Sequence, residues 1–165
     1  MNYQADVNAA LQQLRQQIYD RGEYYREPRD VDLDLTEEEF RASLAPRHTD
    51  PKRYDATVED WLERKSRPAP VDPDTLVTAQ PHSGTHSIID MANGVSNQPT
   101  FATVSPLPAD NLISTFGIVT PSTGQVQAWM SADAASERDR WIGTYVISYR
   151  DGQPDHIHFC GHSGD

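Results

Sequence analysis

Residues 144–162 constrain the fold more than any other stretch. Thr144-Tyr145-Val146-Ile147-Ser148-Tyr149-Arg150 is rich in β-branched and aromatic residues, and Asp151-Gly152, a hairpin-turn pair, follows it. Side chains alternate between faces along a strand, so Tyr145, Ile147 and Tyr149 share one face, and Ile157 and Phe159 share one on the return segment. All of these are odd-numbered. Paired residues lie on the same face, so odd must pair with odd, which calls for an odd number of loop residues. A three-residue loop, Arg150-Asp151-Gly152 with Gly152 left-handed, meets that condition. It sets His156 across from Val146 and His158 across from Thr144. A two-residue Asp-Gly loop would instead set the histidines against Tyr145 and Ile147.

The even face of the return segment carries His156, His158, Cys160 and His162. Two imidazoles two apart on a strand point the same way and can chelate one metal ion, with zinc the natural choice once a further ligand is added. His82 and His86 are the predicted further ligands, ahead of Cys160, His162 and Asp90. The opposing reading is a solvent-facing strand whose histidines cluster by chance. Cys160 with His158 or His162 as base is a candidate nucleophile, although a lone strand cysteine is more often a small buried hydrophobe. The chain has no glycine-rich phosphate loop, no dinucleotide fingerprint and no Gly-x-Ser-x-Gly elbow. No cofactor is therefore expected apart from zinc in the metal reading.

The N-terminal part is helical by pattern. Val7, Leu11, Leu14 and Ile18 form one apolar stripe from about Asp6 to Arg21, and Gly22 stops it. Thr36-Glu37-Glu38-Glu39 matches a capping box. A short helix is expected from there to Pro46, and a third after Thr57 with Val58, Trp61 and Leu62 as contacts. Arg67 to Asp74 reads as a linker. Beyond it, Thr85–Met91 is a candidate strand, Asn93-Gly94 a turn and 108–116 a helix. A longer helix is predicted from Thr120-Pro121 to about Arg140.

These elements predict an α+β fold. A small antiparallel sheet ends in the C-terminal hairpin and is packed by the two longer helices, 6–21 and 121–140. Residues 1–165 make one domain: a docking helix 1–22, a polar helical arm and linker 23–74, and an α+β core 75–165. With 36% hydrophobic residues and a mean hydropathy of −0.70, a folded body with polar segments attached is expected.

Net charge is −11, which disfavours nucleic acid and anionic membrane surfaces as partners and favours a protein with a basic surface. No stretch is long and apolar enough to span a bilayer, and the first residues lack a basic-then-apolar leader. A cytoplasmic chain is expected. The leading functional expectation is a small acidic protein-binding protein, in concrete form an immunity or inhibitor protein for a basic toxin or enzyme. Its predicted contacts are Asp34, Glu37, Glu38, Glu39 and Trp61. The alternative is a metal-dependent enzyme built on His156 and His158, and a third class is a structural or scaffold protein.

Overall fold

The computed structural model describes residues 1–26, 32–45, 47, 50–81, 83–132 and 140–162. In chain order the helices and strands are α1 (Val7–Arg21), α2 (Glu37–Leu44), α3 (Pro51–Ser66), α4 (Pro73–Ala79), β1 (Thr103–Pro106), α5 (Ala109–Phe116), α6 (Thr123–Ser131), β2 (Ile142–Arg150) and β3 (Gln153–His162). Short 3-10 turns lie at Asp32–Asp34 and Ile88–Asp90. The fold is α+β. Two compact units divide it: Met1–Tyr25 with Asp72–Asp165, and Arg26–Val71. Among the described residues, no helix is long and apolar enough to cross a membrane.

The sheet has the order β1-β2-β3. The β2–β3 pair is the expected antiparallel hairpin, but β1 joins β2 in parallel, so the sheet is mixed rather than antiparallel. The connection from β1 to β2 runs through α5 and α6, the kind of long crossover that parallel neighbours require. The candidate strand at 85–91 is instead the Ile88–Asp90 turn, where Ser87 caps by accepting from the Ile89 N–H.

The hairpin reaches the predicted parity by a different route. Arg150 pairs with Gln153 across a two-residue turn in which Asp151 and Gly152 both have positive φ, 52° and 76°. This is the turn whose twist matches a hairpin. One residue later the register shifts: Tyr149 pairs with Pro154 and Ser148 with His156, so Asp155 is an extra residue in β3. A two-residue turn plus one bulge restores odd-with-odd pairing, giving Ile147–Ile157 and Tyr145–Phe159. The histidines therefore sit two positions from the expected register, with His156 opposite Ser148 and His158 opposite Val146.

Helix α1 begins at Asp6, whose side chain accepts from the Ala9 N–H, and ends at left-handed Gly22. Its stripe buries Ala10 and Leu11 and also a charged residue, Arg15, which is 2% exposed. Arg15 donates to the Ile89 carbonyl, Gln12 and Asp74, so its guanidinium ties α1 to the 3-10 turn and to α4. Leu11, Met91 and Val104 form the core of this unit, with Tyr145 and Phe159 from the odd face packed on it. Helix α6 starts at Ser122 with a Gln125 capping box, two residues later than predicted. It closes at Ala132, and the predicted continuation through 133–139 lies outside the described residues. Trp141, just past the predicted helix end, has a φ of 64° at the entry to β2, and its ring lies tilted against Phe101 at 5.6 Å between centroids.

The Arg26–Val71 unit has its own core. Phe40, Leu44, Val58 and Trp61 are buried together, with Leu33, Leu35 and Tyr54 against them. Trp61 stacks on Phe40 at 4.6 Å between ring centroids and donates its indole N–H to the Asp32 carbonyl. The Lys65 ammonium lies over the Trp61 ring and donates to the Leu33 and Leu35 carbonyls. The capping box forms as expected, with Thr36 and Glu39 each accepting from the other's backbone N–H. Helix α3 starts seven residues before the expected position Val58, because Asp50 caps it and Pro51 fills its first position.

Trp61→Ala should remove the centre of that core at a cost of about 3–5 kcal/mol. Amides of α2 and α3 should lose hydrogen-exchange protection while those of β2 and β3 keep theirs. Loss of protection across the whole chain together would show that the two units unfold as one.

Candidate functional site

The even face of the hairpin carries the richest side-chain chemistry; it is buried along β2 and half-buried at His156 and His158. In β2, Thr144, Val146 and Ser148 on that face are buried, and Ser148 has no exposed surface. The N-terminal turn of α6 accounts for this: Thr123 sits against Ser148, hydroxyl to hydroxyl at 2.9 Å. The same Thr123 hydroxyl donates to Asp155 Oδ2 at 3.1 Å. His158 Nε2 lies 2.9 Å from Ser148 Oγ. The bulge is what brings Asp155 into this group, since an unbulged strand would turn it to the opposite face from His156.

Donor counting fixes the direction of the whole chain of contacts. A carboxylate only accepts, so the one proton of Thr123 goes to Asp155. Ser148 must then donate to Thr123, and its oxygen accepts from His158. Neutral His158 is thus the tautomer protonated on Nε2, with its lone pair on Nδ1. The result is a one-way relay, His158 to Ser148 to Thr123 to Asp155, ending on a charge.

Asp155 is the anchor. Partial burial pushes its carboxyl up, but His156, Thr123 and Arg150 outweigh that and hold it below the ordinary carboxylate value. Arg150 lies 3.0 Å from Oδ2. His156 Nδ1 lies 2.9 Å from the same oxygen and is closed off from solvent. His158 is held below its ordinary 6.5 by desolvation, then by the Met1 ammonium and His156, against an upward pull from Asp155. Residues 1–3 reach this site by pairing along β3: Met1 N donates to the Ile157 carbonyl, Ile157 N to Met1, and Tyr3 N to Asp155.

Of the predicted metal ligands, His156 and His158 come together, with ring centroids 6.1 Å apart. One nitrogen of each is already engaged, by Asp155 and by Ser148. His86 is exposed, has a φ of 50° and stacks on Tyr25 at 4.3 Å. It lines a cavity of about 220 Å³ together with Met91, Met130, Phe159 and Cys160. His82 lies outside the described residues. Asp90 is buried and accepts the Thr85 N–H with both oxygens. Among the described residues, no three His, Cys, Asp or Glu side chains stand close enough to share a metal ion.

The predicted partner contacts divide. Asp34, Glu37, Glu38 and Glu39 are exposed. Three of them also serve their own unit: Asp34 pairs with Arg26, Glu37 with Arg41, and Glu39 closes the capping box. Trp61 is corrected from surface contact to core, with no exposed area. Sequence reasoning missed Thr123, Ser148 and Asp155. The signal was faint: only a register that includes the bulge puts Ser148 beside the histidines.

No family model matches the chain, and no curated protein or solved structure is similar to it.

The lowered value of His158 has a definite sign for stability. The unfolded chain takes up this proton more readily than the folded one. The contribution is fully present above the ordinary value of 6.5 and is lost as pH falls from there toward the lower folded value. His158→Gln should flatten the stability profile just below 6.5, as read by denaturant titration across pH. An unchanged slope there would assign the loss to another group. Separately, Thr123→Val should cost about 1–3 kcal/mol, because it strips partners from both Ser148 and Asp155. A negligible loss in the same titration would show that the relay does not hold α6 to the sheet.

Proposed function

We propose that this chain is a small acidic cytoplasmic protein that works by binding a protein with a basic surface, as an immunity or inhibitor protein does for a basic toxin or enzyme. The carrying observation is the net charge of −11, displayed in part on the exposed carboxylates at the start of α2. Exposed opposite charges steer encounter and raise association rates. A unit with its own core and a closed capping box presents those carboxylates in a fixed arrangement, which lowers the ordering cost on binding. Glu38 is the best placed of them, since it has no ion-pair or capping role among the described residues.

The test begins with cross-linked partners recovered from the native host at low salt, and zinc measured in the same sample. A purified basic partner should associate at a rate that falls steeply as salt shortens the Debye length, about 10 Å at 0.1 M. Glu38→Lys should slow association while leaving the dissociation rate nearly unchanged and the fold intact, at a stability cost of about 1 kcal/mol from placing a cation at the helix start. Glu39 is a poor choice for charge reversal because it holds the cap. An association rate indifferent to salt and to Glu38→Lys would refute electrostatic capture by α2. Copurifying zinc that is lost on His156→Ala would move the assignment to a metal-dependent enzyme.

A further inference from the structure

Strand β3 ends the sheet, with β2 on one side only. Its odd-numbered residues turn their main-chain groups away from β2. Residues 1–3 take up the first of these groups: Tyr3 N donates to the Asp155 carbonyl, and Met1 and Ile157 exchange both of their bonds. Phe159 and Gly161, two and four residues further along, direct their N–H and C=O groups the same way. Among the described residues, nothing pairs with them on that side. Phe159 is half-buried and Gly161 is exposed. Both line the cavity of about 220 Å³, together with Ile88, Met91, Met130 and the exposed His86.

We infer that the Phe159–Gly161 edge accepts an extended basic segment of a partner protein as an added strand, with an apolar side chain of that segment in the cavity. The inference rests on the basic-partner reading and names how part of that partner seats. Main-chain donors and acceptors at strand spacing are matched by another extended main chain, and a pocket beside them selects among its side chains. Residues 1–3 show that this edge takes an antiparallel chain, and the added strand continues the same line. Segment residues opposite Phe159 and Gly161 put their side chains on the Phe159 face, where Ile88 and Met91 make an apolar wall. Charge selects the occupant. The compact unit that contains β3 carries thirteen Asp and Glu against five Arg and Lys. A second copy brings the same excess and is repelled, whereas a basic segment is attracted.

The probe is the end-capped peptide Arg-Val-Arg-Val-Arg, titrated at low salt into the full isotope-labelled chain and followed by amide NMR. The expected result is saturable shifts at Phe159 and Gly161, slower exchange of their amides, and cross-strand contacts from the peptide to Phe159. N-methylating both valines should abolish binding, because their N–H groups face β3 when their side chains enter the cavity. N-methylating the central arginine, whose N–H then faces away, should leave binding in place. Replacing the valines with serine should weaken binding about tenfold or more, and Glu-Val-Glu-Val-Glu should bind about tenfold more weakly than the arginine peptide. Every variant lies in the peptide, so the fold of the chain is unaffected. Shifts confined to Glu38 and its neighbours in α2 would overturn strand addition and leave capture by α2 standing. Equal binding of the acidic peptide at Phe159 and Gly161 would overturn the basic occupant and count against the basic-partner reading as well. No binding, or binding indifferent to N-methylation of the valines, would overturn the proposal. A dimer of the chain alone that protects the Phe159 and Gly161 amides would overturn it too, by giving the edge to a second copy.

Discussion

One extra residue in β3 sets the phase of everything around it. The Asp151-Gly152 turn alone would pair odd with even and turn the histidines toward the Leu11–Met91–Val104 core. The bulge at Asp155 shifts the remaining strand by one residue, so that Ile157 is fully buried and Phe159 packs on that core. Pro154 immediately before it suits the break, since proline cannot donate to a ladder. The bulge also turns Asp155 beside His156, which supplies the acceptor on which the relay from His158 through Ser148 and Thr123 ends. Register, burial of the polar face and attachment of α6 thus share one cause.

A fully buried serine and a half-buried histidine beneath a helix need satisfied hydrogen bonds, because an unpaired buried polar group is costly. The relay meets that need with no donor left over along its length. It also explains why this face, chemically the busiest, is a connector between helix and sheet in this structure. On the proposed reading, the exposed carboxylates at the start of α2 would act on a partner at long range and be screened by salt.

Much of the fold was legible in the sequence where local chemistry decides. Asp6 and Gly22 bracket α1, Thr36 with Glu39 caps α2, and the odd-numbered apolar residues mark the hairpin face. The rest depended on partners far away in sequence. Arg15 lies one turn beyond Leu11 on the apolar side of α1, and it is buried there because the Ile89 carbonyl and Asp74 receive its donors. Strand β1 is four residues of mixed polarity whose only strong credential is burial beside β2. Among the site residues, His156 and His158 were visible as a pair. Thr123 was not, because its place against Ser148 depends on how α6 lies on the sheet. Trp61 was misplaced at the surface because the apolar residues that cover it, Phe40, Leu44 and Val58, are too scattered to announce a second core.

The most direct test of this account is the cross-strand register of the hairpin by proton NMR. Ile147–Ile157 and Tyr145–Phe159 should be pairs without mutual hydrogen bonds, since Ile157 turns its backbone outward to Met1 and Tyr149 turns its N–H outward to Pro121. In such pairs the Cα atoms approach to about 4.5 Å, close enough for strong Hα–Hα cross-peaks. The account predicts those cross-peaks for Ile147 with Ile157 and for Tyr145 with Phe159. Cross-peaks that instead join Ile147 to His156 and Tyr145 to His158 would mean that no bulge forms at Asp155, and the relay and the buried histidine face would fall with it.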